Sequence, residues 1–292
     1  GRIHTAKQFA ENYQAARRVG FENINIDLMS ALPGQTTASW LDTLNKAAAF
    51  EPEHLSAYSL IIEEGTPFWD LYGDDRSGEA DVDGIIADGV VGQQEKAAIL
   101  TLPDEDSERR MYHLTKRILA EKGYERYEIS NYAKPGYECR HNCGYWTRKD
   151  YLGLGLGASS LVEHQRFQNT SDLKTYLEQE YSPQCEGQHE RIAETIQLQA
   201  ETGLTQTGHH IHIETLDKKS EMEEFMFLGL RLMVGISRQQ FEKKFQVTLN
   251  SVYGEVLRKL KGEQLIEEVA GYVRLTEHGI DVSNYVLAEF LL

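Results

Sequence analysis

Ile24-Asn25-Ile26-Asp27-Leu28-Met29-Ser30-Ala31-Leu32-Pro33-Gly34-Gln35-Thr36 is the stretch that decides the fold. Ile24, Ile26 and Leu28 alternate with Asn25, Asp27 and Met29, the period of a strand whose two faces meet different surroundings. Leu32-Pro33-Gly34-Gln35 then reads as a turn, because Pro presets one backbone angle and Gly accepts conformations closed to other residues. Thr36 or Thr37 caps a second element in which Trp40, Leu41, Leu44, Ala47 and Ala48 form a helical stripe. Residues 54–62 read as another strand, and strand, helix and strand at this spacing make a right-handed βαβ unit. Upstream, Thr5 and Gln8 have capping-box spacing, which predicts a helix over 6–19 with Gly20 as its stop.

Working outward, residues 74–100 are acidic and Gly-rich and read as an inserted mobile loop. After Pro103 a helix resumes with Met111, Leu114, Ile118 and Leu119 on one face and Gly123 as its end. Tyr127 and Ile129 predict a strand leading into a loop over 134–160, where Tyr137, Cys139, His141, Asn142, Tyr145, Trp146, Tyr151, Gly153, Gly155 and Gly157 crowd together. That is the most site-like part of the chain. Beyond Arg166 the composition turns helical and charged, with a helix over 221–233. Helices over 238–245 and 251–260, then a hairpin around Gly271, give the outline of a winged helix. The expected domains are 1–165 and 166–292.

Composition excludes several classes. With 30 Lys and Arg against 46 Asp and Glu, the net charge of −16 repels phosphate backbones, so nucleic acid is not an expected partner. The basic residues Arg258, Lys259 and Lys261 sit among Glu255, Glu263, Glu267 and Glu268, which argues against a DNA-reading winged helix. No run approaches the roughly 18 apolar residues of a membrane span and no leader is evident, so the expected compartment is the cytoplasm. Three cysteines, Cys139, Cys143 and Cys185, are too few for a disulfide scaffold. The chain begins at Gly1 and enters helical periodicity almost at once, the start expected of a cut or processed chain.

A specific set of segments carries a resemblance. Asn25 to Met29 with Leu32 to Thr36, Ala57-Tyr58-Ser59-Leu60 with Glu63 to Pro67, Arg126 to Asn131, Glu138 to Asn142, Tyr145-Trp146, Tyr151 to Gly155 and Glu224 to Arg231 are similar to the radical-SAM coproporphyrinogen III oxidase-like family. His141-Asn142-Cys143-Gly144-Tyr145-Trp146 matches the His-Asn-x-x-Tyr-Trp pattern of its haem chaperone branch. The resemblance implies an α/β fold: the C-terminal half of an open radical-SAM barrel, followed by a helical, winged-helix-like C-terminal domain. It also implies a carrier that binds haem and delivers it to haem-dependent proteins, through transient association with membrane proteins among them. The enzymatic alternative is oxygen-independent coproporphyrinogen III oxidation.

The same resemblance implies S-adenosylmethionine and a 4Fe-4S cluster in the intact protein. Asp27 would accept hydrogen bonds from the cofactor ribose, with Met29 in the same pocket and Ala57 near the adenosyl group. His141 is the candidate ligand of haem iron, Tyr145 and Trp146 offer flat surface to the porphyrin, and Gly153 and Gly155 form a candidate binding loop for an anionic group. The residues support parts of this independently: a neutral imidazole is a competent axial ligand, and Asp27 closes a barrel-type strand at the end where such folds place chemistry. For His141 the alternative is a structural hydrogen bonder; for the glycines it is close packing of strand on helix. Cys139 and Cys143 have the first spacing of a radical-SAM triad, but Trp146 stands where the third cysteine belongs. With His141 they could instead bind zinc adventitiously. His209, His210 and His212 read as part of a solvated loop. Ala31 departs from the Gly that relatives usually carry before Leu-Pro-Gly-Gln, and Ser159 from a common His.

Overall fold

In the computed structural model, which describes residues 4–73, 101–178 and 210–292, Thr5 caps α1 (Ala6–Arg18) and Gln8 returns the bond, as their spacing predicts. β1 (Asn25–Ser30) follows, then α2 (Thr37–Ala48), capped by Thr36 with Ser39 reciprocating. β2 (His54–Ser59) lies parallel to β1, with Asn25 opposite His54 and Ser30 opposite Ser59. The strand ends three residues before the predicted 62. α3 (Pro67–Tyr72) has Pro at its first turn, and α4 (Glu105–Glu121) is capped by Asp104. β3 (Glu125–Arg126) and β4 (Asn131–Ala133) complete a sheet of order β1-β2-β4-β3.

Only the β1–β2 pair is parallel; β4 runs antiparallel to β2 and to β3. The strand expected at Tyr127 and Ile129 is instead a turn between β3 and β4. Fully buried Glu128 causes this by accepting hydrogen bonds from Ser130 N at 2.8 Å and Asn131 Nδ2 at 2.5 Å.

The core of this unit lies on one face of the sheet. Ile26 and Leu55 meet Tyr13 of α1, Trp40 and Leu44 of α2, and Met111 and Leu119 of α4. Full burial of each of the larger side chains stabilises the unit by about 1.5–3 kcal/mol before ordering costs. Trp40 also needs a polar partner, and its Nε1 donates to Thr115 Oγ1 at 2.9 Å. On the other face Asn25, Asp27 and Met29 are exposed.

The second unit begins with α5 (Arg140–Trp146), a helix inside the stretch expected to be loop. β5 (Ser159–Val162), β6 (Gln165–Asn169) and, after α6 (Leu173–Glu178), β7 (His210–Thr215) form an antiparallel sheet that composition does not predict. Residues 210–212 therefore belong to a strand and not to a solvated loop, while His209 lies outside the described residues. The inserted stretch 74–100 and Cys185 lie outside them as well.

α7 (Lys218–Gly229) starts three residues before the predicted 221, because Asp217 accepts from Ser220 N. β8 (Ile236–Ser237), α8 (Arg238–Phe245), α9 (Leu249–Gly262), β9 (Ile266–Val269) and β10 (Tyr272–Leu275) then follow in winged-helix order, with sheet order β8-β10-β9. α10 (Glu277–Asp281) and α11 (Ser283–Ala288) end the chain. The two compact units are Gly1–Cys139 and Arg140–Leu292, a division upstream of the 165/166 boundary that composition suggests.

Candidate functional site

Two clusters of chemistry-bearing residues stand out, one in each unit. In the first, the pleat of β1 carries Asn25, Asp27 and Met29 to the open face of the sheet. Asp27 Oδ1 accepts from Asn25 Nδ2 at 2.7 Å, and its second oxygen has no hydrogen-bond partner among the described residues. Met29 is 38% exposed beside it. The parallel register puts Ser56 and Tyr58 of β2 on this same face. Ala57 pairs with Leu28, and its side chain packs with the helix-covered core. Ser56 is 2% exposed, so a ligand lying against Asp27 would meet Tyr58 of this pair, and the methyl group of Ala57 points the other way. Period 2 reverses the face at each residue, so near this open face Ala57 offers its backbone and not its side chain.

The turn after β1 puts a backbone demand on Ala31, which is 5% exposed with φ 59°, a left-handed conformation in which Gly carries no steric penalty.

The second cluster is built on α5. His141 and Tyr145 lie one helical turn apart, so they share a face, and their rings meet edge to face at 4.7 Å. Tyr145 meets Tyr151 in the same geometry at 4.7 Å. His141 is exposed, so its imidazole is accessible while aromatic rings support it from behind. Trp146 faces elsewhere: Arg231, in the turn that follows α7, lies over its ring at 4.4 Å. Trp146 secures the helix, and Tyr145 and Tyr151 supply the flat surface beside His141.

How α5 is held could not be read from the motif. Arg148 follows it at φ 51°, with Arg148 N bonded to Tyr145 O at 3.0 Å and Lys149 N to Gly144 O at 2.9 Å. This is a Schellman ending with Arg in the place usually taken by Gly. The side chain accounts for the choice. Arg148, 2% exposed, bonds Glu224 Oε2 of α7 at 2.7 Å and faces Glu221 at 3.5 Å. Arg166 takes the other oxygen of Glu224 at 2.7 Å, and His164 Nδ1 lies 2.8 Å from Glu221. Burial pushes the Glu221 carboxyl up, but His164, Lys244 and Arg148 outweigh it and hold it below the usual range. Sequence reasoning passed over Arg148, Glu221 and Glu224; Glu at 221 and 224, three apart on one helix face, was the available signal.

The glycine run mostly packs against its own unit. Gly153 N donates to Ser160 Oγ at 2.9 Å, Gly157 N to Thr170 O at 3.0 Å, and Asn169 Nδ2 donates to the carbonyls of Gly153 and Gly155 at 3.2 and 2.9 Å. A Cβ on Gly153 would lie 2.3 Å from Ser159 O. Gly153 is therefore a packing glycine, and its N–H is not available to an anion. Between the glycines, Leu152, Leu154 and Leu156 are 60%, 84% and 44% exposed, an apolar rim that the sequence reading did not single out.

Among the described residues no group of three or more His, Cys, Asp or Glu side chains is placed to hold a metal ion. A 4Fe-4S cluster needs more thiolates than Cys139 and Cys143 supply. Haem makes a smaller demand, since the porphyrin supplies four nitrogens and one exposed imidazole suffices. No described helix is long and apolar enough to cross a membrane.

Comparison with known proteins bears on both clusters. The family described as the HemN C-terminal domain matches residues 216–282, which run from the end of β7 through the winged-helix segment. The chain is 32% identical to Heme chaperone HemW of Lactococcus lactis over all 292 residues, covering 64% of that protein. It is 32% identical to Heme chaperone HemW of Bacillus subtilis, covering 65%. A third relative, Radical S-adenosyl methionine domain-containing protein 1, mitochondrial, of Mus musculus, is 29% identical with 58% covered. The chain thus spans a little under two thirds of the length of these relatives. The solved structure of coproporphyrinogen III oxidase (HemN) from Escherichia coli, titled a radical SAM enzyme, shares the fold at TM-score 0.64 and 19% identity, over 99% of this chain and 59% of that one. The chain is therefore similar along its length to proteins named heme chaperone HemW, carries a segment that matches the HemN C-terminal domain, and shares the fold of the solved coproporphyrinogen III oxidase structure.

Proposed function

We propose that this protein is a haem chaperone, binding haem at the α5 cluster and passing it to haem-dependent proteins, membrane proteins that receive haem among them. The observation that carries the reading is the exposed His141 imidazole standing edge to face on Tyr145, itself backed by Tyr151. An accessible ligand beside flat aromatic surface and an apolar leucine rim suits a planar, largely apolar macrocycle with an open axial position. Gly155, at φ 98° with open space around it, lets the rim turn toward such a ligand.

S-adenosylmethionine belongs, on this reading, to the open face of the first unit. The free oxygen of Asp27 suits a ribose hydroxyl, and Met29 gives apolar contact beside it. The 4Fe-4S cluster has no fitting thiolate set here, so nothing in the proposal is routed through it. A carrier needs no redox step to hold and release its cargo.

The test is a haem titration followed at the Soret band. His141→Ala is expected to weaken binding by about tenfold, the scale of one lost ligand-sized interaction, and to shift the band. An unchanged titration removes His141 from the site. Conversion of coproporphyrinogen III by the full-length protein would favour the oxidase relative instead.

A further inference from the structure

The open face of the first unit holds a hydrogen-bond chain whose direction follows from elementary donor and acceptor chemistry. Asp27 is a carboxylate and can only accept, so the Asn25 atom 2.7 Å from it must be the amide nitrogen. The Asn25 oxygen then faces His54 Nδ1 at 2.7 Å and Ser56 Oγ at 3.3 Å, and both must donate to it. His54 Nδ1 therefore carries the proton. His54 Nε2, 2.8 Å from Tyr127 Oη, accepts from the phenol, whose oxygen in turn receives Cys139 N at 3.4 Å. Reversing the Asn25 amide would set acceptor against acceptor at Asp27, so Nδ1–H is fixed; the direction of the last link follows for a neutral ring. Four elements contribute to the chain: β1, β2, the β3–β4 turn and the segment leading to Cys139.

We infer that Asn25, His54 and Tyr127 are positioning residues that clamp one oxygen of Asp27 and so aim its other oxygen out of the sheet toward a vicinal diol. This rests on the reading of Asp27 as the ribose contact of S-adenosylmethionine and adds how that contact is set. His54 is 4% exposed, and burial keeps its imidazole from protonating, with Asp27 pulling weakly the other way. With the ring neutral and Nδ1 protonated, Nε2 keeps the lone pair that accepts from Tyr127, whereas an imidazolium would donate to the phenol oxygen instead. Asn25 alone could swing on its two side-chain torsions; the ring at 2.7 Å, itself held at its far end, removes that freedom.

Two measurements on the full-length protein decide the matter. In 15N NMR of the histidine ring at neutral pH, His54 should show a protonated Nδ1 and a bare Nε2; the opposite tautomer or an imidazolium overturns the inference whatever the ligand. In titrations with S-adenosylmethionine, Asn25→Ala and His54→Leu should weaken binding about tenfold, the scale seen when partners that orient a ligating group are removed. His54→Asn, which returns a donor at the Nδ1 position, should recover most of the loss, whereas His54→Gln, which reaches the Nε2 position, should not. Equal losses for Asn, Gln and Leu would reduce His54 to packing and overturn the positioning role. If Asp27→Ala binds the cofactor as wild type does, the underlying cofactor reading fails, and the tautomer result still judges the hydrogen-bond chain.

Discussion

Glu224→Gln tests how the α5 cluster is held. Glu224 takes a 2.7 Å bond from each of two arginines, and Arg148 on one side is 2% exposed. Removing one partner of a buried ion pair costs about 3–5 kcal/mol, because the remaining charge stays desolvated. Two features put this case at the low end. Glu221 remains 3.5 Å from Arg148, and Arg166 is 36% exposed and can turn to water. We expect a loss of about 3 kcal/mol, or a fall in Tm of about 6–12 °C for a unit of this size. Local opening should show it more directly. By the same energy, α5 amides should exchange with deuterium about a hundredfold faster, while amides of β1 and β2 in the other unit should be unchanged. Arg148→Gly is the companion variant. It loses the pair but relieves the left-handed strain, so it should cost about 1 kcal/mol less than Arg148→Ala. A change below about 1 kcal/mol in Glu224→Gln, the value of an exposed bridge, would refute the view that this network mounts the helix.

Further outcomes follow from single residues. Ala31→Gly, at φ 59°, should stabilise the first unit by up to about 1 kcal/mol in denaturant unfolding, as relief of left-handed strain exceeds the added freedom of the unfolded chain. His54 has a pKa lowered by burial, so below its ordinary value of 6.5 the unfolded chain binds a proton that the folded one refuses. Stability of this unit should therefore be level above pH 6.5 and decline as pH falls from there through the lowered pKa, a slope that His54→Asn should remove. Glu53 acts in a more acid window. Burial raises its pKa, but the Ile24 N–H and Arg17 outweigh that and hold it low, so its contribution stands above pH 4.5 and is lost as pH falls through the depressed value; Glu53→Gln should flatten that limb of an acid-unfolding curve. Gly235→Ala combines φ 74° with a Cβ 2.1 Å from Val273 O, and it should destabilise the winged segment by about 2 kcal/mol or more in thermal melts.

Where the sequence was legible, local rules and tertiary packing agreed. Thr5 and Thr36 each cap the helix their side chains predict, and the alternation from Ile24 to Met29 sorts one strand into a packed and an open face. The winged-helix segment was equally plain, since its two helices carry a steady apolar period and its hairpin turns at Gly271. The sheet β5-β6-β7 was not legible because β6 and β7 are far apart in sequence and the central strand, Gln165-Arg166-Phe167-Gln168-Asn169, is made mostly of residues without strand preference. α5 was missed for the opposite reason. Its seven residues hold Gly144 and two aromatics, too short and too mixed for a period to emerge, although His141 and Tyr145 do stand four apart.

The candidate site divides the same way, and the division has a physical cause. The candidate ligand contacts show their identity in the sequence: a carboxylate on the open face of a strand, and a histidine among aromatics. The structure places Asp27 third of six residues in β1, inside the strand and not at its end. The residues that hold these contacts in place do so through pairings that only folding creates. His54 reads as one more residue at the start of a strand until Asn25 and Tyr127 close on its two nitrogens. Arg148 reads as a loop cation until Glu224 is found behind it, and only then does its left-handed backbone make sense, since the ion pair holds a conformation that Gly would adopt without cost. Ala57 shows the converse. Prominent in a motif, it lies on the strand next to Asp27, and the register turns its methyl group into the core. A motif specifies which residues sit near one another along the chain, whereas a site needs side chains on one face, with their donors and acceptors already committed.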